Sequence, residues 1–276
     1  MFIEPSQPLS ETTFAILDVE TTGLSPNYGH RVCEIAYLRV RDGVELDRFE
    51  SFVDPQRPIS PGAFGVNRIT PGMLLGAPTF NKVIGSWLQV TTDAVLVAHN
   101  APFDLGFLAA EFEIARTPLP QNLVVDTLAL TRGVYHLARY SLSAVTAALG
   151  VNSQPTHRAL ADVQATFEIL QRIIWDLERR WRVITLGQLL DFQGGSVPYP
   201  RFRTLPLPPS IAEALENRGP VRMRYVDAEG RQTDRVVRPL RVTEQRGHLY
   251  LIAHCYHREA LRSFRLDRVV ELIVAE

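Results

Sequence analysis

Phe14-Ala15-Ile16-Leu17-Asp18-Val19-Glu20-Thr21-Thr22-Gly23 is an apolar run that ends in two acids and a glycine. Four apolar residues running into a carboxylate predict a buried strand that feeds a turn. Along a strand, residues i and i+2 project to one face, so Asp18 and Glu20 can reach a single point. Two carboxylates forced together repel, and burying them is tolerated mainly when a cation neutralises the pair. Asp-x-Glu alone is more often a solvated strand end. Its weight comes from the acids and imidazoles further along the chain.

Two further strands are expected at residues 32–41 and 49–53, with Asp42-Gly43 as the turn between them. Residues 55–76 form a Pro- and Gly-rich connection. Beyond it come a helix over 82–90, a buried strand over 94–99, a helix over 103–112 and a strand over 123–127. Another helix, 141–149, is stopped by Gly150. Val163, Phe167, Leu170, Ile174, Leu177 and Trp181 recur at spacings of three and four, one face of a long helix over 158–181. Antiparallel-looking strands and then alternating helices and strands indicate an α/β domain with a mixed sheet, spanning residues 12–176. Gly194-Gly195 and prolines at 198, 200, 206, 208 and 209 mark a connector, 177–218, with a short helix at 211–217. From 219 to 276 the pattern is strands only, over 221–226, 235–243, 248–254, 260–265 and 269–274, which suggests a small β-barrel.

The 276 residues suffice for two domains, and a hydrophobic content of 46% supports a buried core. No apolar run approaches the roughly 18 residues of a membrane span, so no membrane partner is expected. Residues 1–13 are polar and contain proline, unlike a secretion signal. Cys33 and Cys255 lie far apart, which argues against a disulfide framework and fits a reducing cytoplasm. The net charge of -1 conceals an asymmetry: residues 1–176 hold 12 basic and 18 acidic side chains, residues 177–276 hold 17 and 12. An acidic half that needs metal beside a basic half that attracts phosphate suits a nucleic-acid enzyme, although solubility alone explains the same imbalance. Only Lys82 among the 29 basic residues is lysine, a bias that serves bidentate phosphate contacts or reflects a GC-rich genome.

Two more segments carry acids or imidazoles. One is His99-Asn100-Ala101-Pro102-Phe103-Asp104, and the other is His157 with Asp162 five residues on. Asp104 falls in the first turn of its helix, where a carboxylate commonly caps. His99 and Asn100 end the preceding strand, where α/β sheets usually form sites. Asp162 lies beside the apolar stripe of the long helix, a costly place for an unpartnered acid. His157 is suited to general-base work, because imidazole titrates near neutral pH. Thr21 and Thr22 offer N–H and hydroxyl groups to a nucleotide, with Gly23 permitting a tight turn. Oxygen donors of this kind match magnesium or manganese. Four carboxylates and one histidine in this order suggest a two-metal phosphodiester-cleaving enzyme.

With these motifs in view, residues 12–176 resemble the DEDDh exonuclease family, which includes the proofreading (epsilon) subunit of bacterial DNA polymerase III and oligoribonuclease. The three motifs match Asp18 to Leu24, His99 to Asp104, and His157-Arg158-Ala159-Leu160-Ala161-Asp162. The resemblance implies an RNase H-like fold and 3′→5′ release of nucleoside 5′-monophosphates. Two Mg2+ or Mn2+ ions would be held by Asp18, Glu20, Asp104 and Asp162, with His157 as general base. Thr22 and Gly23 would hold the terminal 3′-hydroxyl through the backbone, Leu24 would wedge beside the last base, and Phe103 and Asn100 would line the pocket. The chain departs from the pattern at Val66-Asn67-Arg68-Ile69-Thr70, where many relatives carry His-Gly after the valine.

Residues 219–274 resemble a WYL domain, an Sm-like barrel. The carriers are Arg238-Pro239-Leu240, Leu249-Tyr250-Leu251 and Arg262-Ser263-Phe264-Arg265-Leu266-Asp267-Arg268. Such a domain implies a basic pocket for nucleic acid or a nucleotide-like ligand, with Arg238, Tyr250, Arg262 and Arg265 as candidates. Arginines that merely solvate an outer face are the plainer alternative. Gln188-Leu189-Leu190-Asp191-Phe192 loosely resembles a sliding-clamp-binding peptide, although its position favours packing on the nuclease domain. Single-stranded DNA is favoured over RNA as substrate, and a proofreading role would require a separate polymerase as partner. The competing reading is a non-catalytic nucleic-acid-binding regulator that keeps the nuclease fold as a scaffold.

Overall fold

The opening apolar run forms β1 (Thr13–Thr21), the middle strand of a mixed five-stranded sheet. On one side β1 pairs antiparallel with β2 (Val32–Arg41), which pairs antiparallel with β3 (Val44–Phe52). On the other side β4 (Val95–Ala98) runs parallel to β1, and β5 (Val124–Asp126) runs parallel to β4. The helices between and after the strands are α1 (Pro61–Asn67), α2 (Phe80–Thr91), α3 (Ala101–Ile114), α4 (Thr127–Val134), α5 (Leu142–Leu149), α6 (Ala159–Trp181) and α7 (Leu186–Gln193). This computed structural model describes residues 3–200, 207–217 and 219–274, and the chain divides into two units, Met1–Thr204 and Leu205–Glu276. Among the described residues, no helix is long and apolar enough to cross a membrane.

β1 is buried on both faces, which is why it reads as a continuous apolar run. Phe14 and Ile16 join a core with Val163, Ile169, Leu170, Ile173 and Leu177 of α6. Ala15, Leu17 and Val19 join a second core with Phe80 and Trp87 of α2 and Leu105, Phe107 and Leu108 of α3. The alternation continues past the apolar run. Asp18 and Glu20 therefore fall on the Phe14/Ile16 face, the side on which α6 packs.

Two local features differ from the sequence expectations, and a third sharpens one of them. The Pro- and Gly-rich connection contains α1, whose N-cap Ser60 accepts from Ala63 N–H at 3.2 Å, with a proline at the first helical position. α4 follows β5 directly, capped by Asp126, which accepts from Leu128 N–H at 2.9 Å. α7 is an integral part of the first unit. Thr185 and Gln188 form a capping box at its start, and Leu186, Leu189 and Leu190 are buried in the α6 core. Gly133 of α4 meets this helix so closely that a β-carbon there would lie 2.7 Å from Phe192 Cε1. The clamp-like peptide is thus occupied in packing, because its leucines are inside. Residues 201–206 and 218 of the expected connector, including Pro206, lie outside the described residues.

The second unit begins with α8 (Pro209–Asn217) and continues as β6 (Val221–Val226), β7 (Gln232–Gln245), β8 (His248–Cys255), β9 (Ala260–Arg265) and β10 (Val269–Val274). The expected barrel strands form an antiparallel sheet of order β10-β6-β7-β8-β9. Pro239 has no N–H to give a ladder, and it sits at the register shift between Pro239 and Arg241.

Leu189→Ala should destabilise the first unit by about 2–5 kcal/mol, as expected for truncating a core leucine. Urea unfolding measures this; an unchanged midpoint would mean that α7 is a detachable connector.

Candidate active site

The C-terminal end of β1 is where the predicted acids meet. Asp104 lies in the first turn of α3 but does not cap it: it is buried, and its Oδ1 accepts from the Val19 N–H at 3.1 Å. Asp162, buried in the first turn of α6, accepts from the Thr156 N–H at 2.9 Å. Glu20, His157 and Asp162 each offer a ligand atom within 4.8 Å of the others. His157 is exposed and has φ 55°, a left-handed conformation in which histidine is enriched relative to most residues. β1, α3 and α6, with the loop before α6, thus bring four carboxylates and an imidazole to the C-terminal end of the central strand.

Electrostatics record how crowded this end is. Burial pushes Asp18 well above the usual carboxylate range, and Asp104 and Glu20 push it further. Burial and the nearby Asp162 raise Glu20 to about 8. Burial also raises Asp104, against the opposing Val19 hydrogen bond. It raises Asp162 as well, although the Thr156 N–H pulls the other way. Two of the arginines nearby are committed elsewhere: Arg31 to Glu111 at 2.7 Å, and Arg158 to Glu34 at 2.7 Å. Clustered hard oxygen donors whose negative charge is poorly compensated fit divalent magnesium or manganese.

Three supporting residues escaped the sequence reading. Glu34 sits opposite Glu20 on β2, holds the Arg158 guanidinium through both of its oxygens, and accepts from the Ala159 N–H at 3.1 Å. It ties the start of α6, and with it the neighbourhood of His157, to the central sheet. A lone acid inside the apolar strand Val32–Arg41 was the available signal. Asn67 donates from Nδ2 to the Thr21 carbonyl at 3.2 Å and hydrogen-bonds Glu20. Asp126 accepts from the Asn100 N–H at 2.8 Å while capping α4.

Several expected substrate contacts are placed otherwise. Thr22 is wholly buried; its N–H donates to the Arg31 carbonyl at 2.9 Å, and its hydroxyl lies 3.0 Å from both His30 Nδ1 and Arg31 N. The Thr21 hydroxyl donates to the Gly23 carbonyl at 2.7 Å. These threonines therefore brace the loop from within and do not present their hydroxyls to a ligand. Gly23 is required by proximity: a β-carbon would lie 2.4 Å from the His30 ring. His99 uses both ring nitrogens internally, Nδ1 with the Thr127 hydroxyl at 3.0 Å and Nε2 with the Tyr140 carbonyl at 2.9 Å. Burial lowers its pKa, so it is a neutral brace. Asn100 begins α3 at φ 72° with an exposed side chain. Leu24, 65% exposed, and Phe103 line a cavity of about 190 Å³ beside this edge, with Pro26, Asn27, Pro102, Gly106, Phe107 and Pro200.

In the second unit, the strand register divides the four candidate residues. Tyr250 faces Arg265 across the β8–β9 pair, and Arg238 faces His254 across β7–β8, so these three share a face. Arg262 pairs with Ala253 and falls on the opposite face, with Leu251 and Phe264. It cannot join the others, because neighbouring strand positions alternate sides. Arg265 is also paired with Asp267.

Residues 15–170 match the Exonuclease family and residues 207–274 the WYL domain. The PolC-type DNA polymerase III of Listeria monocytogenes is 33% identical over 196 residues, covering 71% of this chain and 14% of the polymerase. That of Halalkalibacterium halodurans is 38% identical over 188 residues, covering 68% and 13%. The chain thus spans about one seventh of the length of these relatives. Exonuclease X in complex with 5′-overhanging duplex DNA superposes with a TM-score of 0.52 at 29% identity, covering 66% of this chain and 99% of that one. Exonuclease I, at 17% identity and a TM-score of 0.56, covers 88% of this chain and 55% of its own, a likeness of fold.

The raised acids set a pH dependence. Glu20 titrates near 8 when folded and near 4.5 otherwise. Between these values the folded, metal-free protein binds more protons than the unfolded chain, so stability falls as pH rises through that window. In EDTA, the melting temperature should be higher at pH 5.5 than at pH 8, with a shallower difference in Glu20→Gln. Mn2+ should stabilise more at pH 8, where the ligands are ionised. Calorimetric melts that showed the reverse slope would contradict a strained carboxylate cluster.

Proposed function

This chain belongs to the Exonuclease family, and from that premise we propose that it is a metal-dependent 3′→5′ exonuclease releasing nucleoside 5′-monophosphates from single-stranded nucleic acid, with DNA as the favoured substrate. The observation that carries the reading is the convergence of Asp18, Glu20, Asp104 and Asp162, all four raised by burial and the first three raised further by neighbouring carboxylates. These four are the proposed ligands of two Mg2+ or Mn2+ ions. When bound, such cations act as Lewis acids that offset charge on the scissile phosphate.

The remaining steps fall to the chain's own residues. His157 accepts the proton of the attacking water, and its exposed position beside Glu20 and Asp162 leaves a route for that proton to solvent. Leu24 and Phe103 grip the terminal base by apolar contact, in the cavity they line. Asn100 borders the same edge. Gly23 lets the loop lie flat against His30, which keeps Leu24 at the rim. Arg238, Tyr250 and Arg265 form the proposed capture surface of the WYL domain, since arginine pairs with phosphate and tyrosine stacks on bases. The polymerase relatives make a replicative polymerase a natural functional partner.

Asp18→Ala or Asp104→Asn should lower turnover of a single-stranded oligonucleotide at least about a thousandfold, the equivalent of several kcal/mol. His157→Ala should cost about 10²- to 10⁴-fold. Mononucleotide release, followed chromatographically in Mg2+ or Mn2+ and stopped with EDTA, checks both. Equal activity in wild type and Asp18→Ala would dismiss the enzyme reading and leave a binding scaffold. Removing residues 219–276 should flatten the salt dependence of oligonucleotide binding while sparing hydrolysis of the shortest substrates.

A further inference from the structure

α1 presents a surface that the proposed chemistry leaves unused. The helix is bonded to the end of β1 at two points: Ser60 N–H donates to the Thr22 carbonyl at 3.0 Å, and Asn67 Nδ2 to the Thr21 carbonyl at 3.2 Å. Arg68, the next residue, therefore stands on the rim of the carboxylate edge. It closes the helix with φ 58°, a left-handed conformation that glycine adopts freely and that a β-carbon disfavours. Its side chain is exposed and makes no hydrogen bond or ion pair among the described residues. Arg31 and Arg158, which also flank the end of β1, are locked to buried glutamates. A counter-ion for the carboxylates would be paired in the same way; Arg68 is not.

One turn before Arg68 lies Phe64, 41% exposed, whose carbonyl accepts the Arg68 N–H at 3.0 Å. A β-carbon at Gly65, between them, would meet nothing within 4 Å, so the surface there is open. An exposed ring and an uncommitted guanidinium one helical turn apart form a small stacking and phosphate-binding unit. We infer that Phe64 and Arg68 hold the substrate strand on the 5′ side of the scissile bond, Phe64 against a base and Arg68 on a backbone phosphate. This rests on the exonuclease reading, since it places these residues upstream of the cut. It explains why an arginine occupies a backbone position that favours glycine: the charge is retained for the substrate.

The test compares two substrates in Mn2+. One is an oligothymidylate; the other is the p-nitrophenyl ester of thymidine 5′-monophosphate, which has no nucleotide upstream of the scissile bond. Phe64→Ala and Arg68→Gly should each raise the oligonucleotide KM roughly tenfold and leave turnover of the ester unchanged. Arg68→Lys should fall between Arg68→Gly and wild type. Arg68→Gly should melt no lower than wild type, because glycine relieves the left-handed backbone, which separates lost binding from lost folding. Fluorescence anisotropy in EDTA should show its logarithmic salt slope shallower by about 0.7, one phosphate contact on a single strand. An unchanged KM and salt slope, or ester turnover falling in step with that of the oligonucleotide, would overturn the inference. If wild type cleaves neither substrate, the exonuclease reading fails, while the anisotropy comparison still decides whether Arg68 binds the strand.

Discussion

The burial of clustered carboxylates is the constraint around which the first unit is organised. Asp18 and Glu20 are fixed two residues apart on the central strand, and Asp104 and Asp162 are brought to them by the starts of two helices. Local hydrogen bonds offset the cost of this arrangement only in part, as the raised protonation of all four shows. Packing holds them there instead. β1 is gripped by a core on each face, so its end cannot retreat without exposing both. The same low dielectric that makes the cluster unfavourable alone makes it a strong receptor for cations.

Around the acids, the fold places hydrogen-bond donors in preference to free positive charge. Backbone N–H groups of Val19 and Thr156 reach Asp104 and Asp162, and the Asn67 amide reaches Glu20. Arg158 comes close but is captured by Glu34. A free guanidinium inside the cluster would compete for the carboxylates with a bound metal. Its diversion to Glu34 anchors α6 while leaving the four acids available.

The second unit obeys a simpler constraint. Its sheet buries Val221, Met223, Val237, Leu251, Ala253 and Cys255 on one side and turns Arg238, Tyr250 and Arg265 to the other. Strand period alone separates Arg262 from that set, although it stands only three residues from Arg265 in the chain.

The sequence by itself determined the elements with strong periodicity and the identity of the acids. The long helix ending at Trp181 is legible because burial imposes a repeat of three and four residues. The strands at 32–41, 221–226, 260–265 and 269–274 are legible because short runs rich in β-branched and apolar residues stand between turn signals. α1 and α4 are not legible in that way, because each spans only about two turns. α4 repeats its inward positions Thr127, Leu130, Thr131 and Val134 just once, and the caps Ser60 and Asp126 are the clearer signals. Which polar groups remain available was decided by tertiary structure. Thr21, Thr22 and His99 look like ligand contacts in a motif, yet each is used up by a partner distant in sequence or hidden in the loop. Glu34, Asn67 and Asp126 look incidental, yet they hold the edge together. A hydrogen bond has a fixed number of donors and acceptors to satisfy, and only folding reveals which are taken.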